Sequence, residues 1–243
     1  MSLYERYTCC IEKHLESNTW TFKNDSDFTY MLEHQGIAMR SLGQAYYTLV
    51  ANVFSIEEIR TFTDMNDSVG NPCMDAYNGF DASPTSIRYV YHAYRILSHM
   101  QSLGLHDVSI CEIGGGYGGL CMALHTYASK FGLRIQSYTI IDLDVVLKLQ
   151  QRVLSSLGYT QIQFQSADTY GQDISEGFLV STYAFSEFEQ IHRDLYVQHL
   201  FPQMTHGFIV WNYIPVYDIG KDVHIEPEEP QVSATYGNKY VYW

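Results

Sequence analysis

Hydrophobic and polar positions change rhythm near residue 105. Before it, apolar residues recur at helical spacing. Ile87, Val90, Tyr91, Tyr94 and Leu97 fall at i, i+3, i+4, i+7 and i+10 and predict one apolar helix face. Ser83 as N-cap and Pro84 at the first helical position start this helix, and Gly104 ends it. Arg88, His92, Arg95 and His99 lie on its other side and are expected to form a solvated basic stripe. Arg88, near the helix start, is the member placed to reach a ligand carboxylate. Upstream, residues 3–16 and 37–54 read as helices. Ser55-Ile56-Glu57-Glu58 is a capping box that opens another. Residues 63–83, rich in Asn, Asp, Gly and Pro, are expected to be loop.

After residue 105 short apolar runs alternate with helical patterns. Strands are expected at 107–113, 134–141, 161–165, 178–182 and 207–211. Helices are expected at 117–131, 144–157 and 186–200, and a terminal hairpin carries a last strand at 236–243. Serial strand–helix units predict a parallel sheet with right-handed crossovers. The chain therefore divides into a helical segment, 1–105, and an α/β domain, 106–243.

The first strand of that domain runs into Glu112-Ile113-Gly114-Gly115-Gly116-Tyr117-Gly118-Gly119. A strand, a glycine turn and a helix form the junction at which α/β proteins hold nucleotide-like cofactors. Gly114, Gly116 and Gly119 also satisfy the dinucleotide pattern, so a nicotinamide oxidoreductase has to be weighed. Two features oppose it. A pyrophosphate beside Glu112 would be repelled by several kcal/mol in a partly buried site, whereas a sulfonium and an ammonium are attracted. No Lys or Arg occurs between Glu112 and Lys130 to neutralise phosphate. An acid at the end of the second strand, able to accept from both ribose hydroxyls, is supplied by Asp142, followed by Leu143. Asp144 is its rival, but it sits where a helix N-cap is needed. After the third strand, Asp168 is placed to accept from an adenine amino group.

Composition narrows the partners. The net charge of −13 argues against nucleic acid or an anionic membrane surface, both of which need clustered Lys and Arg. No apolar run approaches the length of a membrane span, and residues 1–10 lack the apolar core of a secretion signal. The five cysteines show no C-x-x-C spacing and make no evident ligand pairs with the ten histidines. They are expected to be reduced thiols of a cytoplasmic chain, with zinc disfavoured. Twenty-one tyrosines supply more amphipathic rings than a core needs and suit a face that binds sugars or other ring compounds.

The motif Glu112-x-Gly114-x-Gly116-x-Gly118, followed by Ile140-Ile141-Asp142-Leu143, resembles the class I S-adenosylmethionine-dependent methyltransferases. More narrowly, Glu112 to Gly119, Tyr138 to Leu143, Tyr183-Ala184-Phe185-Ser186-Glu187 and Ser83 to Tyr89 resemble the sugar O-methyltransferases of bacterial polysaccharide clusters and large viruses. The resemblance implies a Rossmann-like sheet of seven strands, mostly parallel with the last antiparallel, and an N-terminal helical cap. It implies S-adenosylmethionine as cofactor, with Glu112, Gly114, Gly116, Tyr117, Gly118, Asp142 and Leu143 around it; Asp168 and Arg88 are the further contacts expected from their positions. One departure is expected: only 32 residues follow Trp211, so the helix between the fifth and sixth strands is reduced or missing.

Methyl transfer to a hydroxyl needs in-line alignment and a group that takes the proton. In an open parallel sheet that group comes from beyond the carboxyl ends of the strands. Glu187 is the first candidate, in the expected first turn of the helix after the fourth strand. His192 follows on the same helix, and His224 and His34 are further histidine candidates. Tyr183 and Asn212, at the ends of the fourth and fifth strands, are placed to shape an acceptor site. No compact acidic motif suggests a metal in the reaction. The expected acceptor is a glycan or small-molecule hydroxyl. A phenolic acceptor, a nicotinamide oxidoreductase and a non-catalytic module of a glycan-processing assembly are the alternatives.

Overall fold

The computed structural model describes residues 2–17, 20–32, 37–232 and 237–243. In chain order it forms helices α1 (Leu3–Glu16), α2 (Ser26–Thr29), α3 (Ile37–Val50) and α4 (Ile56–Asp67), then strands β1 (Asp75–Tyr77) and β2 (Phe80–Ala82) and helix α5 (Pro84–Ser102). There follow β3 (Asp107–Ile113), α6 (Gly119–Tyr127), β4 (Arg134–Asp142), α7 (Asp144–Ser156), β5 (Ile162–Ser166), β6 (Gly177–Thr182), α8 (Gln190–His199), β7 (Met204–Trp211), β8 (His224–Pro227) and β9 (Lys239–Tyr242). These gather into two compact units, neither of them one run of sequence. A helical unit takes Met1–Ser98, Gly116–Tyr127 and Lys148–Tyr159, and a sheet unit takes His99–Gly115, Ala128–Leu147 and Thr160–Trp243.

In the helical unit the capping box of α4 forms as read. Ser55 Oγ accepts the Glu58 N–H at 3.2 Å, and a Glu58 carboxylate oxygen accepts the Ser55 N–H at 2.7 Å. The expected loop at 63–83 is corrected. α4 continues through Asp67, and β1 pairs antiparallel with β2 across Asn78-Gly79. Both turn residues have positive φ, 31° and 93°. Asn-Gly is a strong signal for a two-residue hairpin, which reading the region by turn content alone passes over.

The basic stripe of α5 is also corrected. Arg88 and His92 are buried, not solvated. Arg88 donates to the Leu32 carbonyl at 2.8 Å, which compensates part of its desolvation. Burial, then the charges of Arg88 and Arg95, hold the pKa of His92 well below its ordinary value, so the ring is neutral. Tyr46 of α3 packs against Tyr91 and His92, on both sides of the helix face that periodicity had drawn.

The sheet unit carries seven strands in the order β5-β4-β3-β6-β7-β9-β8. β5, β4, β3, β6 and β7 are parallel, and β9 runs antiparallel to both β7 and β8. This is the expected Rossmann-like order with one reversed strand. One sheet face is filled by Cys111, Ile113, Leu179, Ile209, Trp211 and Val241, at the alternate positions that strand geometry turns to the same side. Glu112 and Tyr138 have the opposite parity. No helix intervenes between β7 and β8. The helix expected at 186–200 is broken. Phe185–Glu187 is a single 3-10 turn, Phe188 and Glu189 are extended at ψ 146° and 150°, and α8 begins only at Gln190.

Candidate functional site

Parallel strands bring their carboxyl ends to one edge of the sheet, and that edge collects acids. Glu112 is the penultimate residue of β3, registered between Ile140 of β4 and Val180 of β6, and is 1% exposed. Tyr138 Oη donates to its carboxylate at 2.8 Å. Burial outweighs that bond and, together with the negative charge of Asp142, pushes the Glu112 pKa up to about 7. Asp142 ends β4, where one of its oxygens accepts the Leu143 backbone N–H at 2.8 Å. Leu143 itself is 41% exposed. Asp168 is exposed in the 3-10 turn after β5, with its N–H on Ser166 Oγ at 3.5 Å. Three neighbouring strands therefore each bring an acid to or near their carboxyl end.

The glycine turn begins directly after Glu112. Gly114, Gly116 and Gly118 have φ of 75°, 58° and 97°, the left-handed region that a side chain disfavours. Gly114 N–H donates to the Ile141 carbonyl at 3.0 Å and carries the β3–β4 pairing past the strand end. A Cβ at Gly114 would stand 2.2 Å from the Ala184 Cβ, so only glycine lets the turn close on the end of β6. Ser181 Oγ locks the same junction, donating to the Ile113 carbonyl at 2.9 Å and accepting the Phe185 N–H at 3.1 Å.

Within the helical unit, the Gly116 carbonyl accepts from Gln150 at 2.9 Å, and a Cβ at Gly118 would meet Leu154. Tyr117 is fully buried there, with its hydroxyl accepting from Asn66 at 3.0 Å and the Lys23 ammonium 4.1 Å from its ring centre. Arg88 and Tyr117, expected as cofactor contacts, thus have partners inside their own unit.

At the other end of the edge the side chains hold one another. Tyr183 follows β6 with φ 68°, a conformation costing a bulky residue on the order of 1–3 kcal/mol. Its hydroxyl donates to Glu228, which follows β8 and is 2% exposed. Glu228 also accepts from the Val232 N–H at 3.1 Å and Asn238 Nδ2 at 2.9 Å. Asn212, just past β7, donates through Nδ2 to the exposed Glu187 carboxylate. Its N–H meets Ser186 Oγ at 3.1 Å, and that hydroxyl donates to the Tyr183 carbonyl at 2.7 Å.

Tyr183, Glu187 and Asn212 are thereby brought together. His192 is not joined to them: it is exposed and its ring lies against Tyr170, with Nδ1 3.0 Å from the Tyr170 hydroxyl. His224 is exposed on β8, beside the Tyr242 ring. His34 lies outside the described residues. Glu228 escaped the sequence analysis. Its one signal was an acid directly after a short strand of the terminal hairpin.

No family model and no curated protein matches the chain. Matching solved structures include the methyltransferase domain of bacterial CtHen1, at 11% identity over 62% of this chain and 96% of that one, with a TM-score of 0.47. Another is the magnesium protoporphyrin IX methyltransferase of Synechocystis with bound S-adenosylmethionine, at 12% identity over 86% of this chain and 97% of that one, with a TM-score of 0.45. At such identities and scores the likeness says nothing about what this chain binds. Among the described residues no helix is long and apolar enough to cross a membrane.

Proposed function

We propose that this protein is an S-adenosylmethionine-dependent O-methyltransferase acting on a sugar hydroxyl. One observation carries the cofactor: Asp142 and the buried Glu112 stand at the carboxyl ends of adjoining parallel strands beside the glycine turn, where burial and the charge of Asp142 raise the Glu112 pKa. Such an edge is costly in the absence of a ligand. It suits one that brings positive charge and hydroxyl donors, and it repels a pyrophosphate. When bound, the cofactor supplies an electrophilic methyl group on a sulfonium. Glu112 faces its positive charge, Asp142 accepts from the ribose hydroxyls, and Asp168 accepts from the adenine amino group.

The acceptor lies along the β6–β8 part of the edge. Glu187 takes the hydroxyl proton, oriented by Asn212, and a positioned base of this kind contributes about 10²–10⁴-fold. Tyr183, set by Glu228, shapes the wall. Tyr213, 52% exposed beside Asn212, offers an aromatic face for the C–H face of a sugar ring. A phenolic acceptor would ionise more readily and lean less on Glu187.

Calorimetry with S-adenosylhomocysteine is the direct test. One site per chain is expected; a folded protein that binds none would end the proposal. Methyl transfer to a panel of glycans and phenols then separates the acceptors, with glycans expected to be labelled.

A further inference from the structure

A second cluster of chemically competent side chains lies in the helical unit. Cys10 and His14 stand one turn apart on α1, and Asp25, the N-cap of α2, closes against them. The thiol is 4% exposed and the imidazole 9%. One donor atom from each of the three residues lies within 4.8 Å of the other two. His14 Nε2 is 3.2 Å from Asp25 Oδ2, and the same ring's Nδ1 is buried without a hydrogen-bond partner. Asp25 Oδ1 accepts the Asp27 N–H at 3.1 Å, which fixes the carboxylate so that Oδ2 faces α1.

We propose that Cys10, His14 and Asp25 bind one divalent cation of the zinc class, with water in the fourth position. Thiolate, imidazole and carboxylate are the donor types that zinc takes at about 2.0–2.3 Å, which places neighbouring donors of a tetrahedron about 3.5 Å apart. His14 Nε2 and Asp25 Oδ2, 3.2 Å apart, already stand near that spacing. Magnesium and calcium, which take oxygen donors, are disfavoured by the sulfur and nitrogen.

On binding, the Cys10 thiol gives its proton to solvent and the cation neutralises thiolate and carboxylate together. Lys13 Nζ is 3.2 Å from Asp25 Oδ2, but its side chain is 73% exposed, so it swings into water as the cation enters. The cation ties α1 to the start of α2. Sequence spacing hid the site because Asp25 comes from a different element.

The test uses the full chain, stripped with a chelator and titrated with cobalt(II) alone. One equivalent is expected to produce thiolate-to-cobalt charge-transfer absorption that zinc removes. Cys10→Ser should abolish the band, whereas Cys9→Ser, at the exposed neighbouring thiol, should keep it. His14→Gln should weaken binding by more than the roughly 10- to 100-fold that loss of a supporting partner costs. A folded chain without a stoichiometric band, or a band that survives Cys10→Ser, overturns the proposal. Should Cys10→Ser lose its fold by circular dichroism, the wild-type melting midpoint decides. A rise with zinc that chelator reverses supports the site, and no rise at saturating zinc overturns it.

Discussion

The two halves of the sheet's carboxyl edge are built on different principles. On the β5-β4-β3 side, Asp168, Asp142 and Glu112 are set by the strands themselves, each near a strand end, and burial and the charge of Asp142 raise the Glu112 pKa. On the β6-β7-β8 side, Tyr183, Glu187, Asn212 and Glu228 are set by one another, through side-chain bonds spanning 25 and 45 residues of sequence. The first half is fixed in place by the sheet, and on the proposed function it receives the cationic cofactor. The second is a mutually supported wall, in which each polar group already has a partner that an acceptor hydroxyl can replace or join. On the proposed function the difference corresponds to cofactor binding in one half and acceptor chemistry in the other, and substitutions can break that proposal.

The largest expected effect is on turnover. Glu187→Gln keeps the shape and the contact with Asn212 but removes the base, and should lower kcat by about 10²–10⁴-fold. S-adenosylhomocysteine affinity, measured by calorimetry, should not move. An unchanged rate would pass the proton to another group; weakened cofactor affinity would dissolve the division between the halves.

Next comes stability against pH. The Glu112 pKa is about 7 in the folded chain against an ordinary 4.5. Between these values the folded state holds more protons than the unfolded one, so stability falls as pH rises through the window. Ionising Glu112 in the ligand-free protein costs about 3 kcal/mol by pH 8. Glu112→Gln should abolish this loss, so denaturant melts of wild type and variant should agree near pH 4 and diverge toward pH 8. The same substitution should weaken cofactor binding most where Glu112 is ionised. Parallel pH profiles would show that the carboxyl is not buried as described.

The charged half was legible in sequence because each acid sits at a fixed offset from an apolar strand run, and strand geometry does the rest. Glu112 and Asp142 needed only the end of β3 and of β4 to be located. The wall was half legible. Tyr183 and Asn212 mark strand ends, but nothing local reveals that Tyr183 turns left-handed or that its partner is Glu228, beyond β7 and the irregular 212–223 stretch. The break at Phe188 was equally hidden, since residues 186–200 carry no Gly or Pro to announce it. For α5 the periodicity was right and its meaning wrong: a polar stripe identifies a second face, not what covers it.

A smaller effect tests the ribose contact. Asp142→Ala removes the proposed carboxyl acceptor of two ribose hydroxyls, and a hydrogen bond to a charged group is worth about 1.5–3 kcal/mol. S-adenosylhomocysteine should bind on the order of 10- to 100-fold more weakly, with the acceptor KM unchanged at saturating cofactor. Unaltered affinity would remove Asp142 from the site.

The smallest expected effect tests whether the wall is mutually supported. Tyr183→Phe retains the ring and removes one donor to the Glu228 carboxylate, leaving Val232 N–H and Asn238 Nδ2 in place. With those donors remaining, stability should fall by about 1 kcal/mol, toward the low end of what an under-satisfied buried acceptor costs. Glu228→Gln in the same background should recover part of that loss, because an amide needs fewer donors than a carboxylate. Cofactor affinity should stay at the wild-type value in both variants while the acceptor KM rises, since both residues belong to the β6–β8 wall. If instead both variants bind S-adenosylhomocysteine more weakly, the left-handed turn at Tyr183 is transmitting to Gly114 through the packed Ala184 Cβ, and the two halves of the edge act as one site.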